Sequence, residues 1–167
     1  RLPKLMSIRQ QMRHYLEAVQ PRALITCDAP DFNLSLCAFA KSLGVPAIHV
    51  VSPSVWAWRQ SRIPKIARQV DLLLCVFPFE PALYKGTGLR CEFIGHPLTT
   101  QISFNPDPAV SAAALHLPVD GLILGLLPGS RESEVKRLLP LFLAVFDRLV
   151  AEDKDLVGII PAASGNL

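Results

Sequence analysis

Residues 23–51 read ALITCDAPDFNLSLCAFAKSLGVPAIHVV. Two short apolar runs, 23–27 and 47–51, flank a segment of helical character at 33–43. Gly44-Val45-Pro46 closes that helix as a C-cap glycine followed by a helix-stopping proline. The unit is strand, helix, strand. Further apolar runs of five or six residues lie at 72–76, 122–127 and 156–160, with helices predicted at 63–69 and 78–84. Strands that are apolar throughout, rather than alternating, predict a sheet covered on both faces. Strand and helix in alternation predict a parallel, Rossmann-like α/β sheet with right-handed crossovers. Ahead of it, Leu5, Ile8, Met12, Tyr15, Leu16 and Val19 recur at three- and four-residue steps, so residues 4–19 read as an amphipathic helix ended by Pro21.

The pattern changes after residue 96. Pro97, Pro106, Pro108 and Pro118 punctuate a stretch without strand character, apart from a short helix near 107–116. The chain is therefore divided into an α/β domain at 1–96, a linker at 97–118, and the opening βαβ of a second domain at 119–167. Pro140 is expected to begin a separate helix at 139–150, because proline suits a first turn and disrupts an interior. The first strand lies behind a helix and the last runs into a short tail, so the sequence reads as an excerpt of a longer protein, lacking the first strands of its first domain.

Half of the 167 residues are hydrophobic, which excludes a disordered chain. The net charge of +3 suits an anionic ligand but falls far short of the basic stripe of a nucleic-acid binder. No apolar run is long enough to span a bilayer, and no signal-peptide pattern opens the chain. Cys27, Cys37, Cys75 and Cys91 are scattered singly and are all expected to be buried thiols. Neither they nor His14, His49 and His116 show metal-ligand spacing, so no metal is expected.

Four places could carry chemistry. Leu126-Leu-Pro-Gly-Ser-Arg131 follows a strand and precedes a helix. Gly129 permits a tight turn, the following amides open a helix N-terminus, Ser130 adds a hydroxyl, and Arg131 supplies a fork for a diphosphate. Glu134 either orients Arg131 or complements the helix dipole. An ordinary strand–helix loop is the competing reading. Asp28 ends the first strand, where partial desolvation and a raised pKa would suit a general base. Asp31 or Asn33 is expected to cap the next helix. Trp56, Trp58 and Arg59, with Arg62, Lys65 and Arg68 nearby, form either an amphipathic surface for acyl chains and phosphate or a pair of core tryptophans with solvated cations. His96 follows a strand and opens the linker, as a structural histidine or a cleft residue. No GxSxG, Walker A or GxGxxG motif is present.

Asp28-Ala-Pro-Asp-Phe-Asn33, Val51-Ser-Pro-Ser-Val-Trp-Ala-Trp-Arg-Gln60, Pro78-Phe-Glu80, Phe93-Ile-Gly-His96 and Leu127-Pro-Gly-Ser-Arg-x-x-Glu-Val135, in this order and spacing, resemble the lipid A disaccharide synthases. The resemblance spans nearly all of residues 1–165. It implies a glycosyltransferase of the two-Rossmann-domain (GT-B) type, inverting, with no cofactor or metal. The implied reaction moves 2,3-diacylglucosamine from its UDP derivative to 2,3-diacylglucosamine 1-phosphate (lipid X), giving the β-1,6-linked disaccharide 1-phosphate and UDP. Asp28 matches the candidate base and Gly129, Ser130 and Arg131 match the donor diphosphate contact. The implied partners are the two lipid substrates, the cytoplasmic face of the inner membrane and a second copy of the chain. Compared with the family, the opening strand with its Gly-Glu-x-Ser-Gly-Asp loop and the later donor-recognising half are missing. Thr99 and Thr100 stand where an acidic residue is common, and the match at 161–166 is loose. The 167 residues alone are expected not to turn over. The alternatives are another UDP-N-acetylglucosamine-using GT-B transferase or epimerase, and a non-catalytic nucleotide-binding module.

Overall fold

The computed structural model describes residues 2–118 and 121–162. It is a Rossmann-like parallel α/β protein in two compact units, Arg1–Ser103 and Phe104–Leu167. The loosely matching tail at 163–166 lies outside the described residues.

In the first unit, α1 (Leu2–Val19) precedes β1 (Leu24–Cys27), α2 (Pro30–Ser42), β2 (Ala47–Val50), α3 (Val55–Trp58), a 3-10 turn (Gln60–Arg62) and α4 (Ile63–Gln69). Then follow β3 (Leu72–Cys75), α5 (Glu80–Leu83), β4 (Arg90–Phe93) and a 3-10 turn (Pro97–Thr100). The four strands are parallel and lie in sequence order. Register pairs Thr26 with His49, His49 with Leu73, and Leu73 with Cys91, so these residues share one face. That face is the core: Ala47, Leu73 and Cys75 are buried against Leu34, Cys37, Val55, Ile66, Val70 and Tyr84.

The opposite face corrects the expectation of a sheet covered on both sides. Ile25 is 66% exposed and Ile48, Val50, Leu72 and Leu74 are only half-buried. The reason is topological. Right-handed crossovers that always step in the same direction set every connecting helix on the same side, and helices reach the second face only where strand order reverses. Order β1-β2-β3-β4 contains no reversal. Cys27 is exposed for the same reason, and Cys91 is only partly buried, so two of the four thiols depart from expectation. Burial raises the Cys37 thiol, and pushes Cys75 up to about 12 and Cys91 to about 11, which leaves these sulfurs protonated and inert.

α1 packs on α2 through Leu16, which meets Ala40 and Val45. The rest of its apolar stripe, Leu5, Ile8, Met12, Tyr15 and Val19, stays exposed. No helix among the described residues is long and apolar enough to cross a membrane.

The second unit holds α6 (Pro108–Ala114), β5 (Ile123–Gly125), α7 (Glu132–Glu152) and β6 (Val157–Ile159), with β5 and β6 parallel. Asp107 caps α6, its carboxylate accepting from the Ala109 and Val110 amides. α7 is one helix of 21 residues that runs through Pro140, so no separate helix begins there. Pro140 sits on the exposed side, while Val135, Leu138, Leu139, Phe142, Phe146 and Val150 form a half-buried stripe on both sides of it. Burying that stripe outweighs the hydrogen bond lost at one exposed carbonyl. Gly158 is the contact point: a Cβ there would stand 2.8 Å from the Phe146 ring.

Candidate functional site

The carboxyl ends of β1 and β2 open into a cavity of about 610 Å³, lined by Asp28, Asp31, Val51, Ser52, Trp58, Arg59, Arg62 and their neighbours. Ser52 and Val55 are buried at its floor; Asp28, Asp31, Trp58 and Arg59 are exposed at its rim. Asp28 is thus accessible and not desolvated as its position after an apolar run predicted.

Backbone strain concentrates here. Asp28, Ala29 and Val51 have φ of 50°, 43° and 72°. Left-handed geometry is unfavourable for any residue with a Cβ and rare for a β-branched one such as Val51. Ladder bonds hold it in place: the Asp28 amide donates to Val50 O and the Val51 amide to Leu74 O, each at 2.9 Å. Asn33 adds a clamp, its side-chain amide donating to Asp28 O at 2.8 Å and Cys27 O at 3.1 Å. Strain that the surroundings over-determine gathers at functional sites. The expectation that Asp31 or Asn33 caps α2 is overturned: the cap residue is Ala29, with no side-chain bond. Asn33 reaches back to the turn, while Asp31 pairs with Arg62 at 2.9 Å.

The core alternative for the tryptophans does not hold, since Trp56 is 44% and Trp58 70% exposed. Both ride on α3. The Arg59 guanidinium lies 3.9 Å from the centre of the Trp58 ring, a cation–π contact. Trp56 meets Phe79 edge-on at 5.6 Å, Phe79 stacks on Phe77 at 5.7 Å, and Phe77 lies 6.1 Å from His96. Phe79 stands in the Pro78-Phe-Glu80 block, whereas Phe77 belongs to no motif; only the fold brings the β3–α5 loop beside α3. His96 does not line the cavity. It caps the following 3-10 turn, its Nδ1 accepting from the Leu98 amide at 3.2 Å. Glu80, which ends the Pro78-Phe-Glu80 block, is a buried carboxylate accepting from the Val76 and Phe77 amides, which fixes that loop.

Under the cavity floor lies a polar core. His49 is fully buried, with Nδ1 2.7 Å from the Thr26 hydroxyl, which also contacts Cys37 Sγ at 3.2 Å. Nε2 has no partner among the described residues. Burial lowers the His49 pKa, and the Asp28 charge offsets part of that.

The second candidate belongs to the other unit, after β5. Gly129 has φ of 122°, and a Cβ there would meet Glu134 at 2.7 Å, so only glycine fits. Glu134 Oε2 accepts from the Ser130 and Arg131 amides, each at 3.2 Å, and Oε1 accepts from the Arg131 guanidinium at 2.7 Å. Glu134 therefore does both things open to it: it caps α7 and orients Arg131. The hydrogen bond from Arg131 holds its carboxyl below the ordinary range, with the two amides adding to that and slight burial opposing it. Beside this loop Gly129, Ser130, Leu127, Pro161 and Ala162 line a cavity of about 420 Å³.

The sequence family described as lipid-A-disaccharide synthetase matches residues 1–166. Lipid-A-disaccharide synthases of Burkholderia multivorans, Burkholderia ambifaria and Burkholderia cenocepacia are each 42% identical over 163 residues. The match covers 98% of this chain and 42% of each of those relatives, so the chain spans well under half of their length. With a family-wide match over nearly every residue, on a parallel α/β frame that carries the quoted motifs at strand ends, the chain belongs to the lipid-A-disaccharide synthetase family.

Proposed function

We propose that this chain is part of an inverting GT-B glycosyltransferase. It transfers 2,3-diacylglucosamine from its UDP derivative to the 6-hydroxyl of lipid X, without a metal or cofactor, at the cytoplasmic face of the inner membrane. The observation that carries the reading is Asp28, held in a strained turn at the rim of a sugar-sized cavity beyond the strand ends. Asp28 takes the proton of the acceptor hydroxyl as that oxygen bonds to the donor's anomeric carbon. The bond from that carbon to the diphosphate oxygen breaks on the opposite side, and its electron pair leaves with UDP. Gly129, Ser130 and Arg131 meet the diphosphate, and the guanidinium stabilises the charge on departing UDP. To do so Arg131 exchanges its carboxylate partner Glu134 for phosphate oxygens. Trp56, Trp58 and the adjoining phenylalanines face the acyl chains, His96 supports the aromatic cluster, and a second copy of the protein is a further candidate partner.

Turnover is assigned to the full-length protein; disaccharide formation by the 167 residues alone would refute that. In the full-length enzyme, Asp28→Asn should lower kcat by about 10²- to 10⁴-fold, the contribution of a general base, with UDP affinity retained. Arg131→Ala should instead weaken UDP binding by about 10- to 100-fold, the loss of a charge-assisted contact. Undiminished kcat in Asp28→Asn, measured with titrated UDP by calorimetry in parallel, would remove Asp28 from this role.

A further inference from the structure

The acceptor cavity carries more charge than proton transfer requires. Its lining holds two carboxylates, Asp28 and Asp31, and two guanidiniums, Arg59 and Arg62. They are not all paired with one another. Among the described residues Asp28 has no ion-pair partner, and the Arg59 guanidinium rests on the Trp58 ring without a carboxylate. Arg62 alone is engaged, one nitrogen donating to Asp31 Oδ1 at 2.9 Å. Arg62 is 30% exposed at its side chain, whereas Asp31 is 85% exposed.

An ion pair with one partner this exposed contributes little and is screened by solvent. Arg62 is therefore held in place by a weakly bound anion that a better one can replace. A phosphate monoester is such an anion: at neutral pH it carries close to two charges and presents three oxygens to guanidinium forks. Arg59, pinned over Trp58, supplies a second fork on the same wall. A sugar whose hydroxyl reaches Asp28 occupies the same cavity that Arg59 and Arg62 line.

We propose that Arg62, with Arg59 beside it, is the specificity-determining residue of this cavity and binds a phosphate monoester on the acceptor sugar, displacing Asp31. The inference rests on the reading of Asp28 as the base that faces the acceptor. It assigns the acceptor's phosphate to the Arg59–Arg62 wall of the first unit, while the donor's diphosphate belongs to the Gly129–Arg131 loop of the second.

The test uses the full-length enzyme and two acceptors, diacylglucosamine with and without its phosphate ester. Arg62→Ala should raise KM for the phosphorylated acceptor by about 10- to 100-fold, as expected for a lost charge-assisted hydrogen bond. Its kcat and its KM for the donor should stay within about threefold, and KM for the phosphate-free acceptor should not move. Arg62→Lys should fall between wild type and alanine, because lysine keeps the charge but not the fork. An equal rise for both acceptors, or no rise for either, overturns the proposal. Should Arg62→Ala fold poorly by circular dichroism, the lysine variant decides alone by the same comparison. Calorimetric binding of the phosphorylated acceptor reads the Arg62 dependence without turnover. Failure of the base assignment would therefore show separately, as activity retained in Asp28→Asn.

Discussion

His49 is the residue whose environment departs furthest from what its position in an apolar run implies. It lies within β2, fully buried, bonded at one ring nitrogen and unpartnered at the other. Burial disfavours its charged form and sets its pKa below the ordinary 6.5. The sign follows from proton linkage. Below 6.5 the unfolded chain binds a proton that the folded chain resists, so stability falls as pH drops toward the lowered value and is complete above 6.5. Thermal melts of the full-length protein should show Tm falling from about pH 7.5 to about pH 5, where histidine changes charge. His49→Asn, which can keep the Thr26 bond at the Nδ1 position, should flatten that dependence; parallel slopes for the two proteins would contradict it. The same scale separates the cysteines. Sequence placed all four in or near apolar elements, yet which side of a strand a sulfur takes is set by pairing, and Cys27 falls on the open side.

At the scale of elements, α7 carries the clearest conflict between local preference and outcome. Proline lacks the amide that would bond to the Lys136 carbonyl four residues back, and its ring crowds that carbonyl. The helix nonetheless continues, because the apolar stripe on the other face is continuous across Pro140. Removing the conflict should stabilise the unit: Pro140→Ala is expected to gain about 1–3 kcal/mol, the scale of the proline penalty in a helix interior. Urea denaturation followed by far-UV circular dichroism measures it, and an unchanged or lower midpoint would mean that the helix is held open at this point. The loops at strand ends show the opposite relation. Gly129 and Glu134 are close in sequence, so their contact is a local geometry that the Pro-Gly-Ser-Arg-x-x-Glu spacing already contained.

For the whole molecule, the decisive fact is that four strands in sequence order carry their helices on one face. Ile25, Ile48, Val50, Leu72 and Leu74 are left on the other, and most of the α1 stripe is also uncovered. Covering a fully exposed side chain of this size is worth about 1.5–3 kcal/mol, so the forgone stabilisation lies mainly at Ile25 and along the α1 stripe. In solution the folded 167-residue chain should bind the dye ANS at neutral pH while keeping α/β circular dichroism, because exposed apolar surface of this extent attracts it. Dye fluorescence no higher than that of an ordinary globular control would show that the face is covered by self-association or rearrangement. Comparing the signal across protein concentrations tells those two apart.

What the sequence determined by itself was local. The periodicities, the Gly44-Val45-Pro46 stop and the apolar runs placed five of the six described strands within two residues of their bounds, while β4, with charged Arg90 and Glu92, forms no apolar run, and the order of elements made the sheet parallel. The motifs put Asp28 at the end of β1, where an apolar run stops, and Arg131 at the start of α7, where the Pro-Gly-Ser-Arg loop meets the helix. Tertiary structure decided what depends on residues distant in the chain. It made Asp31 the partner of Arg62, 31 positions away, instead of a helix cap. It set Trp56 against Phe79 and left one face of the sheet only half-covered. Such pairings follow from which strand lies beside which and on which side each crossover passes, and no local pattern of residues encodes that choice.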